Sequence, residues 1–243
     1  MSGADPSCPD RTAAVELLGG FLLLALFAGA GYRGLAWPLG FLLQSLAVFA
    51  ALAFLLLWLI PPYLPGRRFG IANRITLLRA GMTALLAGLI GHADTVAEHG
   101  WLVSMVALTA LLLDGVDGWL ARRGRLQSAF GARFDMETDA FLIVILSLLV
   151  FQSGKAGSWV LLSGALRYIF RGAGLALPRL RRPLPPSKRR QTLCVVQTVA
   201  LIACLTPLVR ASLAGLMAAL ALLLLFLSFG VDTLWLLRRT PQE

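Results

Sequence analysis

Residues 114–139 read DGVDGWLARRGRLQSAFGARFDMETD. This stretch holds five of the twelve acidic residues of the chain, Asp114, Asp117, Asp135, Glu137 and Asp139, in a protein that is 58% hydrophobic. At about 100° per residue, Asp114, Asp117, Gly118, Ala121 and Arg122 fall within an arc of roughly 140° on one helix. Gly131, Asp135 and Asp139 follow at i, i+4 and i+8, a stripe along the next helix. The segment GRLQSAF between them is long enough only for a short connection. Two antiparallel helices are therefore predicted, with four aspartates converging near one end of the pair.

The sequence on either side of this stretch is lipid-like. Mean hydropathy is +0.79 and only 14% of residues are charged, outside the range of soluble globular domains. Apolar runs close to the roughly 20 residues that cross a bilayer recur at about 13–31, 38–60, 74–91, 101–121, 131–152, 157–175, 191–209 and 212–236. They predict an all-α integral membrane protein of about eight transmembrane helices. The first run is expected to be a retained span rather than a cleaved leader, because Asp5, Asp10 and Glu16 outweigh the single Arg11 there.

Carboxylates in such surroundings need a reason. A charged side chain deep in a bilayer costs about 2.5–3.5 kcal/mol on the lenient insertion scale, so four would cost about 10–14 kcal/mol. That rivals the stability of a whole domain. The aspartates must face away from lipid, and their mutual repulsion must be relieved by cations. Oxygen-only ligands suit Mg²⁺ or Mn²⁺ better than zinc or copper, and four carboxylates on two facing helices could hold two ions. Paired ions of this kind stabilise the attacking and leaving oxygens of a displacement at phosphorus. Gly118, Ala121 and Gly131 remove side chains from the same face, letting a ligand approach the backbone. Arg122 is placed to make paired hydrogen bonds to phosphate.

The formal charge of +10 does not require a nucleic-acid partner. With the N-terminus inside, eight helices place 19 of the 22 basic residues on the cytoplasmic side, among them Arg67, Arg68, Arg74, Arg79, Arg122, Arg123, Arg125 and Arg133. Arg33, Lys155 and Arg210 are left outside. Basic residues at that face also suit anionic membrane lipids. The prolines and arginines of PPYLPGRRFG (61–70) and PRLRRPLPPSKRR (178–190) end spans and mark cytoplasmic linkers. Cys8, Cys194 and Cys204 have no metal spacing, and no disulfide is expected.

The pattern Asp114-x2-Asp117-Gly118-x2-Ala121-Arg122-x8-Gly131-x3-Asp135-x3-Asp139 resembles the signature of the CDP-alcohol phosphotransferase family at every fixed position. Upstream, Asn73-x2-Thr76-x2-Arg79 resembles the motif that opens the first core helix of that family. The resemblance implies a six-helix membrane core, here within residues 63–243, preceded by a two-helix extension at 1–62 that has no counterpart in the minimal core. It implies that the phosphatidyl group of CDP-diacylglycerol passes to the hydroxyl of a small alcohol, with release of CMP, during phospholipid biosynthesis. By position, Asp114, Asp117, Asp135 and Asp139 would hold Mg²⁺ or Mn²⁺, with Asp139 also the general base. Thr76, Gly118, Ala121, Arg122 and Gly131 would contact the nucleotide. The resemblance further implies a homodimer in the cell (inner) membrane, with the site open to the cytoplasm.

Arg133, Arg167, Arg171 and Lys188 are the candidate acceptor contacts, and this surplus of cations favours a phosphorylated polyol. Snorkelling to lipid phosphates is the competing account of Arg167 and Arg171. Glu137 lies about 200° from Asp135 and is expected to serve structure. Glu16 is expected at the interface, and Gln44 and Gln197 in helix-to-helix hydrogen bonds. Two other classes also keep acids in a membrane. An intramembrane prenyltransferase binds diphosphate through aspartates and Mg²⁺, but lacks the Gly-Ala-Arg-Gly set. A cation transporter would place its acids near the midplane on broken helices, whereas this cluster runs toward an arginine-rich turn.

Overall fold

The computed structural model describes residues 11–59, 71–123, 129–176 and 187–238. Among them every regular element is helical: α1 (Arg11–Gly34), α2 (Leu39–Leu59), α3 (Ile71–Ala87), α4 (Ala93–Glu98), α5 (Gly100–Arg123), α6 (Ala129–Gln152), α7 (Leu162–Ala176), α8 (Lys188–Leu205) and α9 (Ala211–Arg238). One 3₁₀ turn, Ser158–Leu161, precedes α7. Each apolar run of the sequence overlaps one of the longer helices. The short α4 was not expected, because ADTVAE is too brief and polar to show a period. The two proline- and arginine-rich linkers lie largely outside the described residues.

Among the described residues three helices are long and apolar enough to cross a membrane by themselves, over Ala14–Gly34, Leu39–Leu56 and Ala211–Leu236. The others are shorter or carry charge, such as Arg74 and Arg79 in α3 and the aspartates of α5 and α6. The outward surface agrees with lipid as the solvent. On α9 alone Leu213, Leu216, Leu220, Leu223, Phe226, Leu227 and Leu234 are all more than half exposed, an apolar expanse that a water-soluble monomer does not present. The chain is an all-α integral membrane protein.

The chain divides into two compact units, residues 1–95 with 105–139 and residues 96–104 with 140–243. In the first, α1 and α2 form a hairpin whose turn places Ala36 at φ 52°. This hairpin packs on α3 through Leu17, Leu24, Phe49, Leu56, Leu77, Ala80 and Ala84, with Phe134 of α6 in the same apolar cluster. The approach is close at Gly88, where an added Cβ would lie 2.8 Å from the Phe41 carbonyl oxygen and would collide with Ser45 Oγ.

In the second unit α8 and α9 form another hairpin. Cys204 Sγ sits 3.3 Å from the Ala214 carbonyl oxygen, and Lys155 Nζ donates to the Thr206 carbonyl at 2.6 Å. Gln197, fully buried, donates to Ser163 Oγ at 2.9 Å, the helix-to-helix bond expected of it. Gly164 lets α7 cross α6 so closely that a Cβ would stand 2.7 Å from Val144 Cα.

Candidate active site

Three of the four aspartates come together among the described residues, the side chain of Asp117 lying outside them. Asp114 comes from α5, and Asp135 and Asp139 from successive turns of α6. One oxygen from each can be chosen so that all three lie within 4.8 Å of one another. At the centre is a residue from a third helix, Arg79 of α3, which is 1% exposed. Its Nε donates to the Ala110 carbonyl at 3.1 Å. Nη1 donates to Asp135 at 2.5 Å, and Nη2 donates to Asp139 and lies 3.0 Å from Asp114.

The guanidinium therefore spans one turn of α5, from Ala110 to Asp114, and one turn of α6, from Asp135 to Asp139. All three of its nitrogens are engaged. Its planar fork suits this role, because the donors are fixed relative to one another.

Exposure and charge together say what the cluster can do. The side chains of Asp114, Asp135 and Asp139 are 26%, 35% and 42% exposed against 1% for Arg79. The carboxylates thus line the open side with the guanidinium behind them. Three ionised carboxylates and one guanidinium leave a formal charge of −2, which one divalent cation would balance. The donors are all oxygen, as Mg²⁺ and Mn²⁺ prefer, so the residues present fit a divalent ion.

The remaining candidates are placed as follows. Thr76 is buried on α3, one turn ahead of Arg79, and Asn73 is buried one turn earlier. Gly131 lies in the first turn of α6, one turn before Asp135. Arg133 is exposed on the same helix. Asp117, Gly118, Ala121 and Arg122 continue α5, but their side chains lie outside the described residues. Arg167 is half-buried and Arg171 exposed on α7, and Lys188 is exposed at the start of α8. These three belong to the second unit.

Two charged residues carry more than the sequence suggested. Arg79, grouped there with the cations that mark the cytoplasmic side, is the buried counter-ion of the aspartates. Asp232 of α9, 7% exposed, receives Arg189 Nη2 at 2.5 Å on one oxygen and has Arg190 Nη1 at 3.5 Å from the other. The signal for Asp232 was available, since an acid within an apolar helix needs a partner.

A family model described as CDP-alcohol phosphatidyltransferase matches residues 69–228, more than half of the chain. The match begins after α2, takes in all four residues of the Arg79 cluster and ends within α9. No curated protein and no solved structure gives a match.

Proposed function

The chain belongs to the CDP-alcohol phosphatidyltransferase family, and from that premise we propose that it transfers the phosphatidyl group of CDP-diacylglycerol to the hydroxyl of a small, phosphorylated alcohol, releasing CMP. The observation that carries this reading is the convergence of Asp114, Asp135 and Asp139 from two helices, with ligand oxygens within 4.8 Å and a net negative charge left over after Arg79.

In this reading Asp114, Asp117, Asp135 and Asp139 would hold Mg²⁺ or Mn²⁺, two ions in all. When bound, the ions supply charge stabilisation to the attacked phosphate and to the departing CMP. Arg79 keeps the carboxylates from repelling one another and sets their directions from behind. Asp139, the most exposed of the three, takes the proton of the acceptor hydroxyl as its oxygen attacks phosphorus. The new P–O bond forms on the diacylglycerol phosphate, the bond to CMP breaks, and the nucleotide leaves with the electron pair. Thr76, Gly118, Ala121, Arg122 and Gly131 contact the nucleotide. Arg133 contacts the acceptor, for which Arg167, Arg171 and Lys188 are the further candidates that the sequence offers.

The wider reading follows from the same premise. Residues 63–243 form the six-helix catalytic domain and 1–62 a two-helix extension. All eight long helices cross the inner membrane of the cell, the site opens to the cytoplasm, and the protein works as a homodimer.

The test is CMP release by purified protein given CDP-diacylglycerol, Mn²⁺ or Mg²⁺ and a panel of acceptors. Release should require the divalent ion and be fastest with a phosphorylated polyol such as glycerol 3-phosphate. Release with only uncharged alcohols would overturn the acceptor class. Absence of CMP release with every alcohol would overturn the reaction.

A further inference from the structure

The region matched by the family model starts at residue 69, so α1 and α2 stand outside it, yet they cover the helix that carries Arg79. Taking Leu77 of α3 as origin, Arg74, Gly81, Ala84 and Gly88 fall within about 60° on either side, whereas Arg79 lies about 200° away. The helix therefore has two working faces. One delivers the guanidinium to Asp114, Asp135 and Asp139, and the other is taken up by the N-terminal pair.

That second face is held at both ends. Near its start, Arg74 Nη2 donates to Glu16 of α1 at 2.5 Å. At its far end Gly88 lies against α2, facing Ser45 Oγ and the Phe41 carbonyl. Ser45 is fully buried and donates to that same carbonyl at 2.8 Å, so its hydroxyl is satisfied within the helix. Between the ends, Gly20 admits Phe49 and Leu77 at 3.1 and 3.3 Å from where its Cβ would be, and Ala84 has no exposed surface. Burial of apolar surface gives helices little reason to associate in lipid, and such close contacts between small residues supply it instead.

We propose that the α1–α2 pair is a brace that fixes the rotation and depth of α3, and through α3 the guanidinium of Arg79, which makes Glu16 and Gly88 positioning residues for the aspartate site. The proposal rests on the reading that this site binds a divalent ion. The physical need is plain: a helix advances 5.4 Å per turn, so a slip of α3 by a fraction of a turn would carry the guanidinium off carboxylates it meets at 2.5–3.0 Å. A brace on the opposite face resists that slip without touching the chemistry.

The experiment is a thermodynamic cycle on Mn²⁺ affinity, read by electron paramagnetic resonance on full-length protein in detergent. Freeing Arg79 removes a cation that competes with Mn²⁺, so Glu16→Arg should tighten binding by about fivefold, the size of one exposed ion pair. Adding Arg74→Glu, which re-forms the pair with reversed charges, should restore the wild-type value. Gly88→Leu, which forces α2 and α3 apart, should shift affinity the same way. In an Arg79→Met background none of these substitutions should act, because coupled sites fail to add.

Folded Glu16→Arg and Gly88→Leu proteins with wild-type Mn²⁺ affinity would overturn the brace. So would equal shifts with and without Arg79. Should the wild type bind no Mn²⁺, the same cycle read in melting temperature decides the brace, and coupling to Arg79 sustains it. CMP release, measured in parallel, bears on the transferase reading alone, so the two proposals fail separately.

Discussion

Arg79 of α3 donates to Asp135 of α6 at 2.5 Å from a position that is 1% exposed. Its three carboxylate partners hold this enclosed guanidinium in one place. Removing it leaves three carboxylates facing one another. Arg79→Met should therefore destabilise the metal-free protein by about 3 kcal/mol, as loss of one partner of a buried ionic network does. The same change should tighten Mn²⁺ binding by about tenfold, because the site loses a cation that opposes an incoming ion. Thermal unfolding and Mn²⁺ titration measure the two effects, and equal or weaker Mn²⁺ binding in the variant would contradict this account.

The aspartates should separate by role. Asp114→Asn removes an ion ligand, so Mn²⁺ affinity should fall by about tenfold or more, with turnover partly recovered at high Mn²⁺. Asp139→Asn removes the proposed base as well, so saturating Mn²⁺ should not recover it and kcat should stay down by about 100-fold or more. Turnover of the Asp139 variant should climb with pH, as hydroxide takes over deprotonation of the acceptor, while that of the Asp114 variant should not. The rate against pH at saturating Mn²⁺ is the deciding measurement.

Ion binding should also be legible in stability. A ligand that binds only the folded protein adds about 2.7 kcal/mol at one hundred times its dissociation constant. For a chain of this length that is a rise in Tm of about 5–10 °C. Mn²⁺ should produce the rise in wild-type protein, and Asp135→Asn should lose most of it. An unchanged Tm at saturating Mn²⁺ would speak against an ion site formed by the folded helices.

Most of the fold could be read from the chain because lipid imposes a coarse rule, and the apolar runs at 13–31 through 212–236 each became part of a helix. Departures occur where that rule is silent. α7 begins at Leu162 rather than at 157, because the chain after α6 first makes a turn at Ser153–Gly157 and then a 3₁₀ turn. The aspartates were legible because helical spacing leaves a mark in sequence: i+4 from Asp135 is Asp139 whatever the rest of the protein does. The partners were not, since Arg79 and Asp114 are 35 positions apart and no local pattern joins them. Arg79 also lies close to the basic linker, where an arginine reads equally well as a topology signal. Glu16 was placed at the interface for the same reason, and its bond to Arg74 across 58 positions follows from the packing of α1 on α3.

Asp232 gives the last prediction. Lys188, Arg189 and Arg190 occupy the first turn of α8, where the helix dipole already presents positive charge and cations are unfavourable. Asp232, one turn beyond Ser228 on α9, answers two of them with one carboxylate, and Arg189 also donates to the Ser228 carbonyl at 3.3 Å. The start of α8 is thereby fastened to α9. Asp232→Asn keeps the shape of the side chain but removes the charge that meets Arg189 and Arg190 at the positive end of a helix. The loss should be about 1–2 kcal/mol, above the ~1 kcal/mol or less of an exposed pair because Asp232 is buried, and below the about 3 kcal/mol of a pair buried on both sides because the Arg189 side chain is 37% exposed. Asp232→Glu should recover part of it. Hydrogen exchange of the α8 amides should rise in the Asn variant, because the fastening acts on that helix. If Asp232→Asn unfolds with wild-type stability and α8 exchanges no faster, the carboxylate is not what secures the two helices.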